Sequence, residues 1–205
     1  MEYCGIDLHD RNSEVCILDE AGEVMERVRV STTRVALSRF FGRREAMRVA
    51  MEASGLSPWV SRLVAKSGHE VVVCNPRRVR LIAESSLKND KVDAEVLARL
   101  VRIDPEFLRP IQHRSEEAQR LRGKMLVRRA LVDARTGWIN QVRGILRGFG
   151  YRVAGKSAGS FVERVELMKL PKELHEVVEP LLEQIDLVSG EIERCDEVLE
   201  ALGST

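Results

Sequence analysis

Hydrophobic positions recur with short periods at the start of the chain and with helical periods towards its end. Tyr3-Cys4-Gly5-Ile6-Asp7-Leu8-His9 is an apolar run that closes in polar residues, and Ser13-Glu14-Val15-Cys16-Ile17-Leu18-Asp19 is a second. Glu20-Ala21-Gly22-Glu23 supplies a turn, after which Val24, Val28 and Val30 share one face of a third run and Arg27 and Arg29 the other. Short apolar runs and imperfect alternation of this kind mark strands, and the short turns between them make them antiparallel neighbours. Thr32 or Thr33 can cap a short helix through Phe41. Met47-Arg48-Val49-Ala50-Met51 makes a fourth strand that delivers Glu52 at its end. Ser57-Pro58 opens a helix to about Lys66, with proline in a tolerated first-turn position, and Gly68 ends it. His69-Glu70-Val71-Val72-Val73-Cys74 is a fifth strand, stopped by Asn75-Pro76, and a further helix opens at Asp90.

The order β-β-β-α-β-α-β-α is the pattern of a ribonuclease H-like α/β fold with a five-stranded mixed sheet. A right-handed crossover after the three-stranded meander places strand four beside strand one. Asp7 ends the first of these strands and Glu52 the second, so both emerge at the carboxyl edge of the sheet, where ligands of open α/β sheets bind.

A long helical, coiled-coil region is expected to follow. From about Ser115, Val127, Leu131, Ala134, Trp138, Val142, Ile145 and Phe149 recur at threes and fours, with Arg128, Arg129, Arg135, Arg143 and Arg147 between them. This is an amphipathic helix with a basic flank. Positions 151–160, rich in Gly, Ser and Ala, read as a linker. Leu174, Val178, Leu181, Ile185, Val188, Ile192, Cys195, Leu199 and Leu202 then follow a 4-3 alternation flanked by acids, the signature of a coiled-coil helix, with Pro180 at its first turn or at a kink. Such a helix matches the basic helix of its own chain or of a second copy, and the pairing favours a homodimer. The expected divisions are 1–110, 111–152 and 153–205.

Composition narrows the picture. A chain of 205 residues that is 44% hydrophobic can bury a real core. Its apolar runs fall short of the roughly 18 residues of a membrane span, and its N-terminus lacks the features of a signal peptide, so the expected location is cytoplasmic. Cys4, Cys16, Cys74 and Cys195 show no metal-ligand spacing and read as reduced, structural thiols. The net charge of +1 conceals an asymmetry: 18 Lys and Arg face 9 Asp and Glu between positions 76 and 152, whereas 4 face 12 from position 160 onwards. Arginines on a solvated helical face are the default meaning of such a run, but a one-signed excess of this extent is also the footprint of a phosphate-backbone binder, and Arg77, Arg78, Lys88 and Lys91 join the helical arginines as candidate contacts.

The candidate chemistry centres on Leu87-Lys88-Asn89-Asp90-Lys91-Val92-Asp93-Ala94. Asp90 and Asp93, three residues apart at a helix start, share a face. An Asp with a second acid three residues on is also a capping box. Together with Asp7 and Glu52 the pair makes four carboxylates. Magnesium prefers such oxygen ligands, and a pair of ions can hold both the attacking and leaving oxygens of an in-line phosphoryl displacement. An ATPase of related strand order would need a Gly- and Ser/Thr-rich turn after Asp7, which Leu8-His9-Asp10-Arg11-Asn12 does not provide. His9 reads as a bystander.

Gly5-Ile6-Asp7-Leu8-His9, Met51-Glu52-Ala53-Ser54-Gly55, Asn75-Pro76 and the stretch from Leu87 to Ala94 together resemble the amino-terminal domain of the DEDD transposases. These are the recombinases of the insertion-sequence family called "one-ten", relatives of the pilin-gene invertase. The resemblance covers roughly residues 3–150. It implies a RuvC-like domain whose acidic tetrad, mapping onto Asp7, Glu52, Asp90 and Asp93, binds Mg2+ (with Mn2+ as a substitute) and serves phosphodiester chemistry in DNA recombination guided by a structured bridge RNA. Members of that family continue into a domain with a serine nucleophile introduced by a Pro-Gly-Ile-Gly segment, and Ser157, Ser160, Ser189 and Ser204 have no such surroundings. The expectation is therefore a catalytic-domain fragment with little autonomous activity. The alternative is a nucleic-acid-binding and dimerisation module.

Overall fold

The computed structural model of the chain describes residues 1–77, 90–155 and 157–203, with the backbone alone at 90–92. It divides into two compact units, Met1–Arg114 and Ser115–Thr205. In the first, β1 (Tyr3–Asp7), β2 (Asn12–Leu18), β3 (Val24–Ser31), β4 (Arg48–Glu52) and β5 (Glu70–Cys74) form one sheet in the order β3-β2-β1-β4-β5. β1 pairs antiparallel with β2 and parallel with β4, β2 pairs antiparallel with β3, and β4 runs parallel to β5. This is the ribonuclease H-like arrangement that the sequence pattern predicts.

Side-chain alternation gives the sheet two apolar faces. Cys4, Ile6, Val15, Ile17, Val30, Val49, Met51 and Val73 pack on Leu37 and Phe41 of α1 (Arg34–Phe41) and on Val60 and Val64 of α2 (Ser57–Lys66). Thr33 caps α1, its hydroxyl accepting from the Ala36 N–H at 3.2 Å. The opposite face is smaller in side chain: Ala50, Val72 and Cys74 meet Leu97 and Val101, and Cys16 and Leu18 meet Ala94 and Ala98, of α3 (Asp90–Ile103). Buried His69 ties the loops beneath the sheet together. Its Nδ1 accepts from the Met47 N–H at 3.3 Å and its Nε2 donates to the Phe41 carbonyl at 3.0 Å, which fixes one neutral tautomer. On the outer side of β5, the Ile111 N–H donates to the Val73 carbonyl at 2.9 Å and covers part of that edge.

α3 lies unusually close to β1. A Cβ on Gly5 would stand 1.9 Å from the Ala94 carbonyl oxygen and 2.6 Å from the Ala98 nitrogen, both backbone atoms that cannot rotate away. Only glycine permits this approach. The helix is also clamped to the β2–β3 turn. Arg27 pairs with Glu95, Arg99 bonds Glu95 at 2.7 and 2.9 Å and the Gly22 carbonyl at 3.1 Å, and Arg102 reaches the Glu20 carbonyl at 3.1 Å. The guanidinium of Arg99, and then that of Arg27, holds the Glu95 carboxyl below its usual range.

In the second unit α4 (Glu116–Gly148) is about 50 Å long at 1.5 Å per residue and packs against α6 (Lys172–Gly203), with the short α5 (Phe161–Glu166) capping one end of their core. Ile139, Val142 and Leu146 meet Phe161, Val165, Leu174, Val178, Leu182 and Ile185. Polar contacts at Arg128–Asp196 and Arg135–Ser189 step seven residues forward on one helix and seven back on the other, which defines an antiparallel heptad register. The tail thus folds onto the basic helix of its own chain. Two details differ from the sequence expectation. Val127 and Phe149 are exposed, Val127 because the shared core occupies the C-terminal half of α4 and Phe149 because it is the cap at which that helix has ended. Leu182 is buried more deeply than Leu181. Pro180, expected in the first turn or at a kink, lies inside α6.

The contact at Gly5 makes a direct prediction. Gly5→Val should lower the stability of the first unit by about 3 kcal/mol through overpacking against backbone, read as a fall in melting temperature. Gly55→Ala, which meets nothing within 4 Å, should change it little by the same measurement.

Candidate acidic site at the sheet edge

Ile6 pairs with Met51, so Asp7 and Glu52 occupy equivalent steps at the ends of neighbouring parallel strands, about 4.8 Å apart in the sheet. The alternation that turns Ile6 and Met51 towards α1 and α2 turns Asp7 and Glu52 to the face crossed by α3. Both are half-buried. His9 curls back from the turn, its Nε2 lying 2.9 Å from Asp7 Oδ2, so it touches the acid instead of standing by.

The close approach at Gly5 brings the helix to this edge. Ala94, whose carbonyl faces Gly5, follows Asp93 directly, and Gly5 lies two residues before Asp7 on the same sheet face. Asp93 is exposed, and Asp90 stands three residues earlier on the same helix, its side chain outside the described residues. Among the described residues no three His, Cys, Asp or Glu side chains converge closely enough to hold one ion. The donors present at the edge are carboxylate oxygens, the set suited to a hard divalent cation.

Behind the edge, Glu52 pairs in register with Cys74. Burial, and secondarily the nearby Glu52 charge, push the Cys74 thiol up to about 12. Burial also raises the thiols of Cys4 and Cys16, so these three behave as inert packing groups. The loop after Glu52 is fixed by a network that sequence reasoning missed. The Ser54 N–H donates to Ser57 Oγ at 2.9 Å, the Ser57 hydroxyl donates to the Ser54 carbonyl at 3.0 Å, and His113 Nε2 lies 2.9 Å from the same Oγ. With its one proton given to Ser54, the hydroxyl receives a donor from His113. Ser54 three residues before Ser57 was a visible signal; His113, far along the chain, was not.

The basic candidates divide. Arg77 is exposed, its N–H donating to Asn75 Oδ1 at 3.1 Å. Arg78 and Lys88, like Ser204, lie outside the described residues, and Lys91 is described by its backbone alone. On α4, Arg128 is engaged by Asp196, Arg135 donates to Ser189 Oγ at 3.3 Å, and Arg143 donates to the Gly155 carbonyl at 2.9 Å while lying over the Phe161 ring. Arg129, 3.8 Å from Asp133, and Arg147 are exposed. Part of the basic flank therefore holds the helical unit together.

Comparison with known proteins adds an independent line. A transposase family model, that of the IS110-type DEDD transposases, matches residues 4–150. The transposase for insertion sequence element IS1328 of Yersinia enterocolitica is 29% identical over 198 residues, covering 92% of this chain and 58% of that protein. A probable family 20 transposase of Pseudomonas aeruginosa is 28% identical over 203 residues, covering 96% and 59%. The transposase for insertion sequence element IS1111A of Coxiella burnetii is 28% identical over 171 residues, covering 82% and 44%. The chain thus spans about half the length of the curated relatives it matches. Among solved structures, Thermus thermophilus RuvC aligns at 15% identity and a TM-score of 0.36, covering 51% of this chain and 97% of that one. No helix among the described residues is long and apolar enough to cross a membrane.

Burial, then the charge of Arg62, depresses the His113 pKa below its ordinary value. The unfolded chain then takes up this proton at a higher pH than the folded one, so the contribution is fully present above about 6.5 and is lost as pH falls through the folded value. His113→Gln keeps a donor to Ser57 and removes the titration. Its melting temperature should therefore decline less than that of the wild type when measured between about pH 7 and 5.

Proposed function

We propose that this chain, which belongs to the IS110-type DEDD transposase family, supplies the acidic, RuvC-like half of a DNA recombination site. Its ligands for Mg2+, or Mn2+, are Asp7, Glu52, Asp90 and Asp93. The observation that carries this reading is the placement of Asp7 and Glu52 at equivalent steps on adjacent parallel strands, on the face crossed by the helix that bears the other two acids. When bound, the cation supplies charge neutralisation at a phosphodiester and activation of the attacking oxygen. The chain's own residues set the geometry. His9 orients the Asp7 carboxylate, Gly5 lets α3 approach, and the Ser54–Ser57–His113 network fixes the loop that follows Glu52.

The substrate in this reading is DNA, positioned by a structured bridge RNA. The one-signed charge of positions 76–152 and the exposure of Arg77, Arg129 and Arg147 support nucleic-acid contact. The test is a cleavage assay on branched DNA with Mg2+ or Mn2+. Weak cutting by the wild type, as befits a fragment, that Asp7→Ala and Glu52→Ala each abolish is the expected result; equal activity in these variants would sink the assignment of the acids.

A second reading, a nucleic-acid-binding and dimerisation module without catalysis of its own, is favoured by one observation. Leu121 and Met125, four residues apart on one face of the N-terminal half of α4, are exposed beyond the intrachain core. An apolar pair on one face suits self-association. Light scattering should give the mass of two chains for the wild type and of one for Met125→Glu; a monomeric wild type removes the dimer. In this reading nucleic acid is bound with strong salt dependence and left uncut.

A further inference from the structure

The two edges of the sheet differ. Along β5 the Ile111 N–H donates to the Val73 carbonyl at 2.9 Å and the Asn75 N–H to the Leu108 carbonyl at 3.3 Å, so a segment of the chain itself covers that side. β3, at the other edge, is the longest strand of the sheet, Val24–Ser31. Edge strands are commonly kept short or covered, because their unpaired backbone groups are a template for another strand. Register tells which groups of β3 are open. β2 and β3 pair without a shift from Asn12–Ser31 to Ile17–Glu26, and one step beyond, the Thr32 N–H donates to the Arg11 carbonyl at 2.9 Å. Bonded and unbonded pairs alternate in an antiparallel ladder, so Val30, Val28 and Glu26 share the bonds to β2 and the N–H groups of Arg27, Arg29 and Ser31 point outwards. Among the described residues no backbone carbonyl beyond the sheet accepts from these three amides.

Beside this edge lies a cleft of about 570 Å³, with Val30 and Ser31 of β3 along one wall and Ala36, Arg39 and Phe40 of α1, then Arg43, along the other. Val28 and Val30 face the α1 side of the sheet, and residues 36, 39 and 40 share one face of the helix. Arg39 and Arg43 are exposed, with no carboxylate partner among the described residues. Glu26 is bonded by Arg44 at 2.7 Å, which leaves the cleft with an excess of positive charge. A strand laid along β3 keeps the alternation of its neighbour and sends every second side chain to the α1 side, into this cleft. The charge at 39 and 43 selects acids there. A second copy of β3 is a poor occupant, because pairing about a two-fold axis sets Arg27 opposite Arg29, or Arg29 opposite itself, with like charges directly across the strands.

We propose that β3 takes up an extended acidic peptide segment of a partner protein as a sixth strand. The segment's backbone bonds the outward groups of Arg27, Arg29 and Ser31, and its acidic side chains, at every second position, enter the cleft against Arg39 and Arg43. Main-chain bonds supply affinity in such strand addition, and the alternate side chains supply selectivity. The surface is separate from the carboxylates at Asp7 and Glu52 and gives the chain a protein partner beyond the recombination reading.

The test uses the intact chain and fluorescence anisotropy with a labelled peptide of about ten residues, glutamate alternating with valine. Saturable binding is expected, and the same peptide with lysine for glutamate should not bind. Arg39→Gln with Arg43→Gln should weaken binding about tenfold at an unchanged melting temperature. Two further peptides carry backbone N-methyl groups, one on every valine and the other on every glutamate. One set of amides faces β3, the valines in an antiparallel arrangement and the glutamates in a parallel one. Methylation of that set should weaken binding by about tenfold or more, and methylation of the other should change it little. Equal effects of the two methylations, whether loss or none, overturn the sixth strand, as does a wild type that leaves the acidic peptide free. Binding that the glutamine pair does not alter overturns the cleft as the seat of the acids. A labelled DNA duplex that binds the wild type and not the glutamine pair, with the acidic peptide unbound, overturns the proposal and assigns the cleft to nucleic acid.

Discussion

The backbone contact between α3 and Gly5 is the constraint on which the rest of the first unit depends. A helix usually rides over a sheet on a layer of side chains, and here that layer is absent at one point, where the Ala94 carbonyl meets the bare Cα of Gly5. Small residues at 94 and 98 on one side and glycine on the other are thus a single steric unit. Its placement two residues before Asp7 brings the start of α3 down to the sheet edge. Leu97 and Val101 hold one flank of the helix on Ala50, Val72 and Cys74, and its far flank is fastened by guanidinium groups from Arg27, Arg99 and Arg102 to Glu95 and to the carbonyls of the β2–β3 turn.

Gathering carboxylates at one edge opposes folding, because like charges repel and half-burial removes the water that would screen them. Local partners offset part of this. His9 Nε2 lies 2.9 Å from Asp7, and Glu14, the cross-strand neighbour of Asp7, is bonded by Arg29 at 2.9 Å, so each of these two acids has a partner of its own.

The strands of the first unit were legible as short apolar runs broken by turn residues, and their ends placed Asp7 and Glu52 at one edge; the face to which these acids point came only with the pairing register. The strand order was legible from the connections alone. In the helical unit periodicity located both helices and misplaced parts of their contact. Val127 and Phe149 keep the period of the stripe, yet the core formed with α6 takes in only Ile139, Val142 and Leu146 of α4, and a period does not record where a packed core ends. The basic flank read as a nucleic-acid face because charge sign is visible in sequence, whereas the partners of Arg128, Arg135 and Arg143 lie at Asp196, Ser189 and Gly155, too distant along the chain to be read.

The antiparallel register of α4 and α6 restricts how this arm can change length in evolution. Each inserted residue turns a helix by about 100° and moves the pairs beyond it out of phase, so Arg128 would lose Asp196 and the apolar seam would rotate into water. Seven residues added to one helix restore the phase but leave an unmatched overhang. Tolerated length variants should therefore come in whole heptads taken from both helices at once, and the arm should lengthen or shorten in steps of about 10 Å.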